Sequence, residues 1–345
     1  MDRSVAAAYE YAEASGMLAS SFVGVRLNKL FEPRTLQELW GLVFGGEAPA
    51  VPEVLLAKQV ELEAERRFVG GYMRLLKSYS RPDPAAVELL RFYDYENLKE
   101  IGARICYKKE GRPDLVDIGD YSMLNWGKKD RYKTQVDEAA LGNMVAGTPV
   151  SWYKTPAPET QADMDSRLDK QYVLALWESV QKLPSRERAP FASLLKEEIA
   201  GWNILWAIRL KSYYNMGREE IASRLMYTTE TPSEKDELAE AALGILDYPL
   251  DDWGSWRRWK YRALLNPYEE GVYWSIDPRW VRQAAKRRVY RLAMTHFHRY
   301  PFTAVVLLTW FKIKQYEADC IRTAAEAIRL NVDKTALRDL AGVEV

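Results

Sequence analysis

The sequence predicts an all-α protein, and three observations predict it. Apolar residues recur at helical spacing over long segments, alternating strand-like runs closed by Asn-Gly or Asp-Gly turns are absent, and one helix-turn-helix pattern returns three times along the 345 residues. In chain order, Gly41 to Pro52, with Gly45, Gly46, Pro49 and Pro52, reads as a loop between helices. From Asp94 to Lys109, Leu98, Ile101, Ile105 and Cys106 form one apolar stripe. Its stop signal combines Lys108 and Lys109 in the last turn, a left-handed cap at Gly111, and Pro113, which cannot continue the helix. Gly142 to Pro158, rich in glycine and proline, reads as a linker.

Between Arg188 and Lys211 the stripe Phe191, Leu194, Leu195, Ile199, Trp202, Leu205 and Trp206 persists over about six turns. Tyr227 to Ser233, with its threonines and Pro232, is a second linker. A third long helix spans roughly Phe302 to Leu330, with Val306, Ile313, Tyr316, Cys320, Ala324 and Ala327 on one face.

These helices carry an internal repeat. Asn97 follows Pro84 at the distance at which Asn203 follows Pro190, and Tyr316 to Arg322 follows Pro301 at a longer one. Beyond each aliphatic anchor, Leu98, Ile204 and Ile321, a second helix start is expected near Leu115, Ile221 and Leu337. The unit is a helix, a tight turn and a short helix, with a period near one third of the chain, which is too long for a solenoid. Three copies of one small helical domain are therefore expected, at 1–145, 146–230 and 231–345, the terminal segments being free to pack together.

Composition narrows the function classes. Lys and Arg number 49 and Asp and Glu number 49, so no globally basic surface exists for nucleic acid or anionic lipid. Cys106 and Cys320 lie far apart in amphipathic patterns, which fits two buried thiols in a reducing compartment. The longest apolar run, Phe302 to Phe311, ends at Lys312, short of the roughly 18 residues a spanning helix needs. Glu10 and Glu13 stand where an export signal would be apolar, so a cytosolic protein is expected.

Three runs resemble the C-subunit family of V-type ATPases, whose counterpart in eukaryotic complexes is the d subunit. They are Phe92-Tyr-Asp94-Tyr-Glu-Asn97-Leu98-Lys99, Met164 to Tyr172 leading into Phe191 and Asn203-Ile204, and Phe311-Lys-Ile-Lys-Gln-Tyr-Glu317-Ala-Asp-Cys-Ile321-Arg322. The likeness covers 86–118, 165–226 and 277–341 and rests on three degenerate motifs in order. It departs at Ala200, where the second repeat would carry its acid, and at Cys320, where the third would carry its amide.

The resemblance implies three pseudo-threefold-related helical domains forming a funnel with a central cavity. It also implies a non-catalytic connector that receives the rotor shaft and sits on the membrane rotor ring, the proteolipid, from the cytoplasmic side. Such a part needs stiffness, and close-packed helices transmit strain. Trp202, Trp206, Trp310 and Tyr316 are expected to lock neighbouring helices. Because V-type complexes separate into soluble and membrane parts, polar, salt-sensitive contacts are also expected.

No catalytic, cofactor-binding or metal-binding set is expected. The candidates for cavity or partner contact are Asp94, Glu96, Asn97, Asn203, Arg209, Glu317 and Arg322, and the plainer reading of each is hydrogen bonding within its own repeat or an ion pair on a solvated helix face. His296 and His298, at i and i+2, face apart and do not form a chelating pair. Asp251-Asp252 near Glu269-Glu270 lacks the denser spacing of an acidic cation site. Trp253 to Arg262 combines aromatic and basic residues; it reads as an amphipathic helix packing its tryptophans, or alternatively as a lipid-facing element. Two rival functions are compatible with these residues, an unrelated helical scaffold or adaptor binding other helical proteins, and an all-α enzyme with acids converging in a closed cavity.

Overall fold

A computed structural model describes residues 3–109, 111, 113–126 and 137–332, and every regular element among them is a helix, without a strand. The first helices are α1 (Arg3–Ala19), α2 (Leu36–Phe44), α3 (Glu53–Leu76) and α4 (Pro84–Tyr107). They are followed by α5 (Glu138–Val145), α6 (Gln161–Gln181), α7 (Ser185–Tyr214) and α8 (Arg218–Arg224). Then come α9 (Glu240–Leu243), α10 (Trp253–Trp256), α11 (Pro278–Arg299) and α12 (Val305–Arg329). The short helix expected near Leu337 lies outside the described residues.

Helix starts follow local chemistry. The side chains of Thr35, Asp83, Asp137, Asp252 and Asp277 each accept a backbone N–H of the following first turn, satisfying donors that have no partner inside the helix. Pro84 and Pro278 occupy first-turn positions where a missing N–H costs nothing. At the end of α4 the left-handed cap is Lys108, with φ of +46°, rather than Gly111. The helix closes there because the Lys108 and Lys109 N–H groups return to the carbonyls of Arg104 and Ile105.

The chain divides into two compact units, one joining Met1–Ser80, Pro184–Leu225 and Pro232–Val345, the other Arg81–Leu183 and Met226–Thr231. In the first, α12 is the central element, packed by α3, α11, α7, α1 and α2. Its opening run from Val305 to Ile313 is buried on every face, Lys312 included. Phe311 meets Phe68 and Tyr72 edge to face at 4.8 and 4.9 Å, and Trp310 stacks on Tyr72 at 6.1 Å. Gly71 lets the two helices cross closely, since a Cβ there would stand 3.0 Å from the Trp310 indole, which would have to shift by a few tenths of an ångström. Helices α7 and α11 approach as closely at Gly201, whose added Cβ would meet that of Ala285 at 3.1 Å.

Two expectations about this unit are corrected. Trp206 is 45% exposed and Trp202 half-buried, so the α7 stripe turns away from them while Trp310 and Tyr316 are locked in the core. Trp253 to Arg262 is not one amphipathic helix: it is the four-residue α10, a turn, and a 3-10 helix from Arg262 to Leu264. Trp256 and Trp259 are nevertheless buried, with the Trp256 indole donating to the Pro249 carbonyl at 2.6 Å, and Arg257, Arg258 and Lys260 are exposed.

In the second unit α4 packs on α6, with Tyr172 meeting Phe92 at 5.5 Å and Tyr95 at 5.4 Å. Gly102 lets α4 approach the loop that carries Tyr153, because a Cβ there would fall 2.0 Å from the Tyr153 hydroxyl. No helix starts at Leu115; that stretch runs irregularly to a 3-10 turn, Gly119–Tyr121. Ile221, by contrast, lies buried in the short helix α8. Cys320 is buried and Cys106 only half-buried, and both thiols are free.

Candidate functional site

The singled-out polar residues do not converge on one site. In the second unit Asp94 and Asn97, one helical turn apart on α4, hold the same irregular segment. The Asn97 side chain donates to the Val116 carbonyl at 2.8 Å and accepts the Val116 N–H at 2.9 Å, satisfying both backbone groups of that residue. Asp94 accepts the Ser122 hydroxyl at 2.6 Å and the Met123 N–H at 2.7 Å. Burial pushes the Asp94 carboxyl up to about 6, although those two hydrogen bonds pull it down. Glu96 stands apart, partly exposed, accepting from Lys99 at 2.6 Å; Lys99 in turn reaches Asp169 of α6 at 2.5 Å.

In the first unit Asn203 of α7 makes a related clasp, its amide donating to the Leu238 carbonyl at 2.9 Å in a buried setting. Arg209 is half-buried, and its Nε has no hydrogen-bond partner among the described residues. Glu317 is buried, not on a solvated face as expected, and accepts the Phe22 N–H at 2.6 Å and the Lys314 ammonium. It lines a cavity of about 600 Å3 between α1, α2, α3 and α12, together with Glu13, Arg67, Arg74 and Lys314. Arg322 is partly exposed and pairs with Asp319 at 3.1 Å and Glu61 at 3.9 Å.

Sequence reasoning passed over three groups. Lys312 and Glu198 form a buried ion pair at 2.7 Å joining α12 to α7, with Gln315 accepting a second ammonium hydrogen at 3.2 Å. The available signal was a lysine inside the apolar run of α12. Glu10 is buried against the Tyr79 hydroxyl, its second oxygen without a partner among the described residues. The third is a polar seam at the α4–α6 contact, where Gln161 donates to the Tyr153 hydroxyl at 2.9 Å and Asp165 at 2.8 Å, and the Cys106 thiol donates to Gln161 at 3.3 Å.

His296 is buried and His298 exposed, and no group of three His, Cys, Asp or Glu among the described residues is placed to hold a metal ion. Asp252 caps α10. No helix among the described residues is long and apolar enough to cross a membrane. What the geometry does chemically is bind backbone: Asp94, Asn97, Asn203 and Glu317 each fasten a non-helical segment to a helix.

Comparison with known proteins places these helices. An uncharacterized protein of Treponema pallidum (strain Nichols) is 29% identical over 350 residues, covering 99% of this chain and 98% of that protein. Residues 50–340 match the model of the ATP synthase (C/AC39) subunit family, which takes in α3 to α12, part of the first unit, the second unit and all seven candidate residues. An unrelated helical scaffold is thereby set aside, and the chain belongs to the ATP synthase (C/AC39) subunit family.

Proposed function

We propose that this chain is the non-catalytic central-stalk connector of a V-type or A-type rotary ATPase. It seats the rotor shaft on the proteolipid ring and carries torque for coupled ion transport. The observation that carries the reading is the family match over residues 50–340. Three pseudo-threefold-related domains, at 1–145, 146–230 and 231–345, form a funnel whose central cavity takes the shaft's foot. The chain works on the cytoplasmic side, peripheral to the membrane, and attachment through the ring asks for no spanning helix of its own.

The physical support is rigidity. Torque reaches the ring only if loops move with their helices, and the clasps of Asn97 on Val116 and Asn203 on Leu238 tie loop backbone to helix interior. The test is a clean deletion. Membranes lacking the chain are expected to lose ATP-driven ion pumping while the soluble motor still hydrolyses ATP, and pull-down of the chain is expected to bring shaft and ring subunits. Full coupling after deletion would overturn the reading.

A further inference from the structure

Residues 266–277 form a loop closed by its own side chains. Asn266 fastens the stem three ways: its amide donates to the Ser275 carbonyl at 3.0 Å, its carbonyl accepts the Trp274 indole at 3.2 Å, and its side-chain oxygen accepts the Asp277 N–H at 2.9 Å. The Ile276 N–H reaches the Leu250 carbonyl at 3.0 Å, and Trp274 and Ile276 are buried beneath. On this stem the Val272 N–H returns to the Glu269 carbonyl at 3.2 Å, a turn that needs the positive φ of +81° at Gly271. Trp253 lies parallel to Tyr268 at 4.9 Å and bears edge-on against Trp274 at 5.1 Å, bracing the near side.

Such a loop is pre-organised, and its tip is apolar where water would favour otherwise. Tyr273 is 80% exposed, Val272 58% and Tyr268 43%. Glu269, Glu270 and Asp251 surround them and are exposed, and no ion pair among the described residues engages either glutamate. Asp251 lies 3.5 Å from the Tyr273 hydroxyl. An aromatic tip held rigid keeps the ordering cost of association low, and tyrosine is enriched at the centre of protein interfaces.

From this arrangement we infer that the 268–273 tip is a docking finger for another protein of the ATPase complex, one presenting an apolar notch rimmed by lysine or arginine. The acids decide the chemistry of the partner. An anionic bilayer repels Glu269, Glu270 and Asp251, and a twofold contact between two copies through this tip would bring like charges together. A cationic rim accepts all three while the notch takes Tyr273 and Val272. The inference rests on the connector reading for the identity of the complex.

The experiment is rebinding of the purified full chain to membranes carrying the complex but depleted of this subunit. Wild-type chain is expected to rebind, Tyr273→Ala to weaken rebinding roughly tenfold or more, and E269K/E270K to slow it and reverse its salt dependence. These surface positions leave the melting temperature unchanged. A photo-crosslinker in place of Tyr273 is expected to capture one subunit of the complex, whereas one in place of Val25, equally exposed elsewhere in the same unit, is not. If the wild type rebinds and all variants match it, or if position 273 captures only lipid or a second copy, the docking finger is overturned and the connector reading stands. If the wild type itself fails to rebind, both fall.

Discussion

Replacing Glu10 by glutamine removes a carboxyl that the fold holds in its less comfortable charge state. Glu10 is buried on α1 against the Tyr79 hydroxyl, and burial, reinforced by nearby Glu13, pushes its pKa up to about 8 from 4.5 despite the Tyr79 hydrogen bond. Because the folded value lies above the unfolded one, the folded state binds more protons between those two values, and stability falls as pH rises through that window. Each pH unit inside it costs up to about 1.4 kcal/mol, so the carboxyl costs on the order of 2 kcal/mol at pH 6, 3 at pH 7 and 4 at pH 8. The amide does not ionise and still accepts the Tyr79 hydroxyl. Urea unfolding at pH 6, 7 and 8 should therefore show wild-type stability falling by about 2 kcal/mol more than that of E10Q across the range. Asp94 and His296 titrate in both proteins and cancel in the difference. Parallel pH profiles for the two proteins would refute the reasoning.

Three further outcomes follow from the packing. Lys312→Met leaves Glu198 buried without its partner and should cost about 3–5 kcal/mol in urea unfolding, while the double variant with Glu198→Leu should recover most of it. Gly102→Ala drives a Cβ into the Tyr153 hydroxyl and should cost about 1–3 kcal/mol, with loss of amide protection along the facing turns of α4 and α6 read by hydrogen exchange. Lys108→Gly relieves a side chain from the left-handed region at the α4 cap and should raise stability by about 1 kcal/mol in thermal melts.

Periodicity made the second half of α12 legible, because there the helix buries a single stripe through Tyr316, Cys320, Ala324 and Ala327. The same reasoning misplaced Trp206, since α7 serves α11, α9 and α12 at once and no single stripe describes it. The missing helix at Leu115 has a physical cause: Asn97 satisfies both backbone groups of Val116, so the segment has no need of helical hydrogen bonds and Pro113 discourages them. The residue types of the candidate set were visible, but their partners were not. Glu317 meets the N–H of Phe22 from almost the other end of the chain, and local spacing carries no trace of such a pairing. Glu10 argued only against an export signal, because a glutamate in an apolar stripe does not announce whether it is buried or turned outward.

The position of α12 in the chain bears on how the protein is made. Its partner α3 ends at Leu76 and α12 begins at Val305, so on a ribosome adding about 10 residues per second the apolar face of α3, with Val60, Phe68 and Tyr72, waits more than about 20 s for its counterpart. The second unit, nearly continuous from Arg81 to Leu183, has its own helices in hand much sooner. Synthesis therefore yields a finished insert flanked by an unfinished host, and chaperone engagement during translation should concentrate on α1 to α3 until α12 emerges.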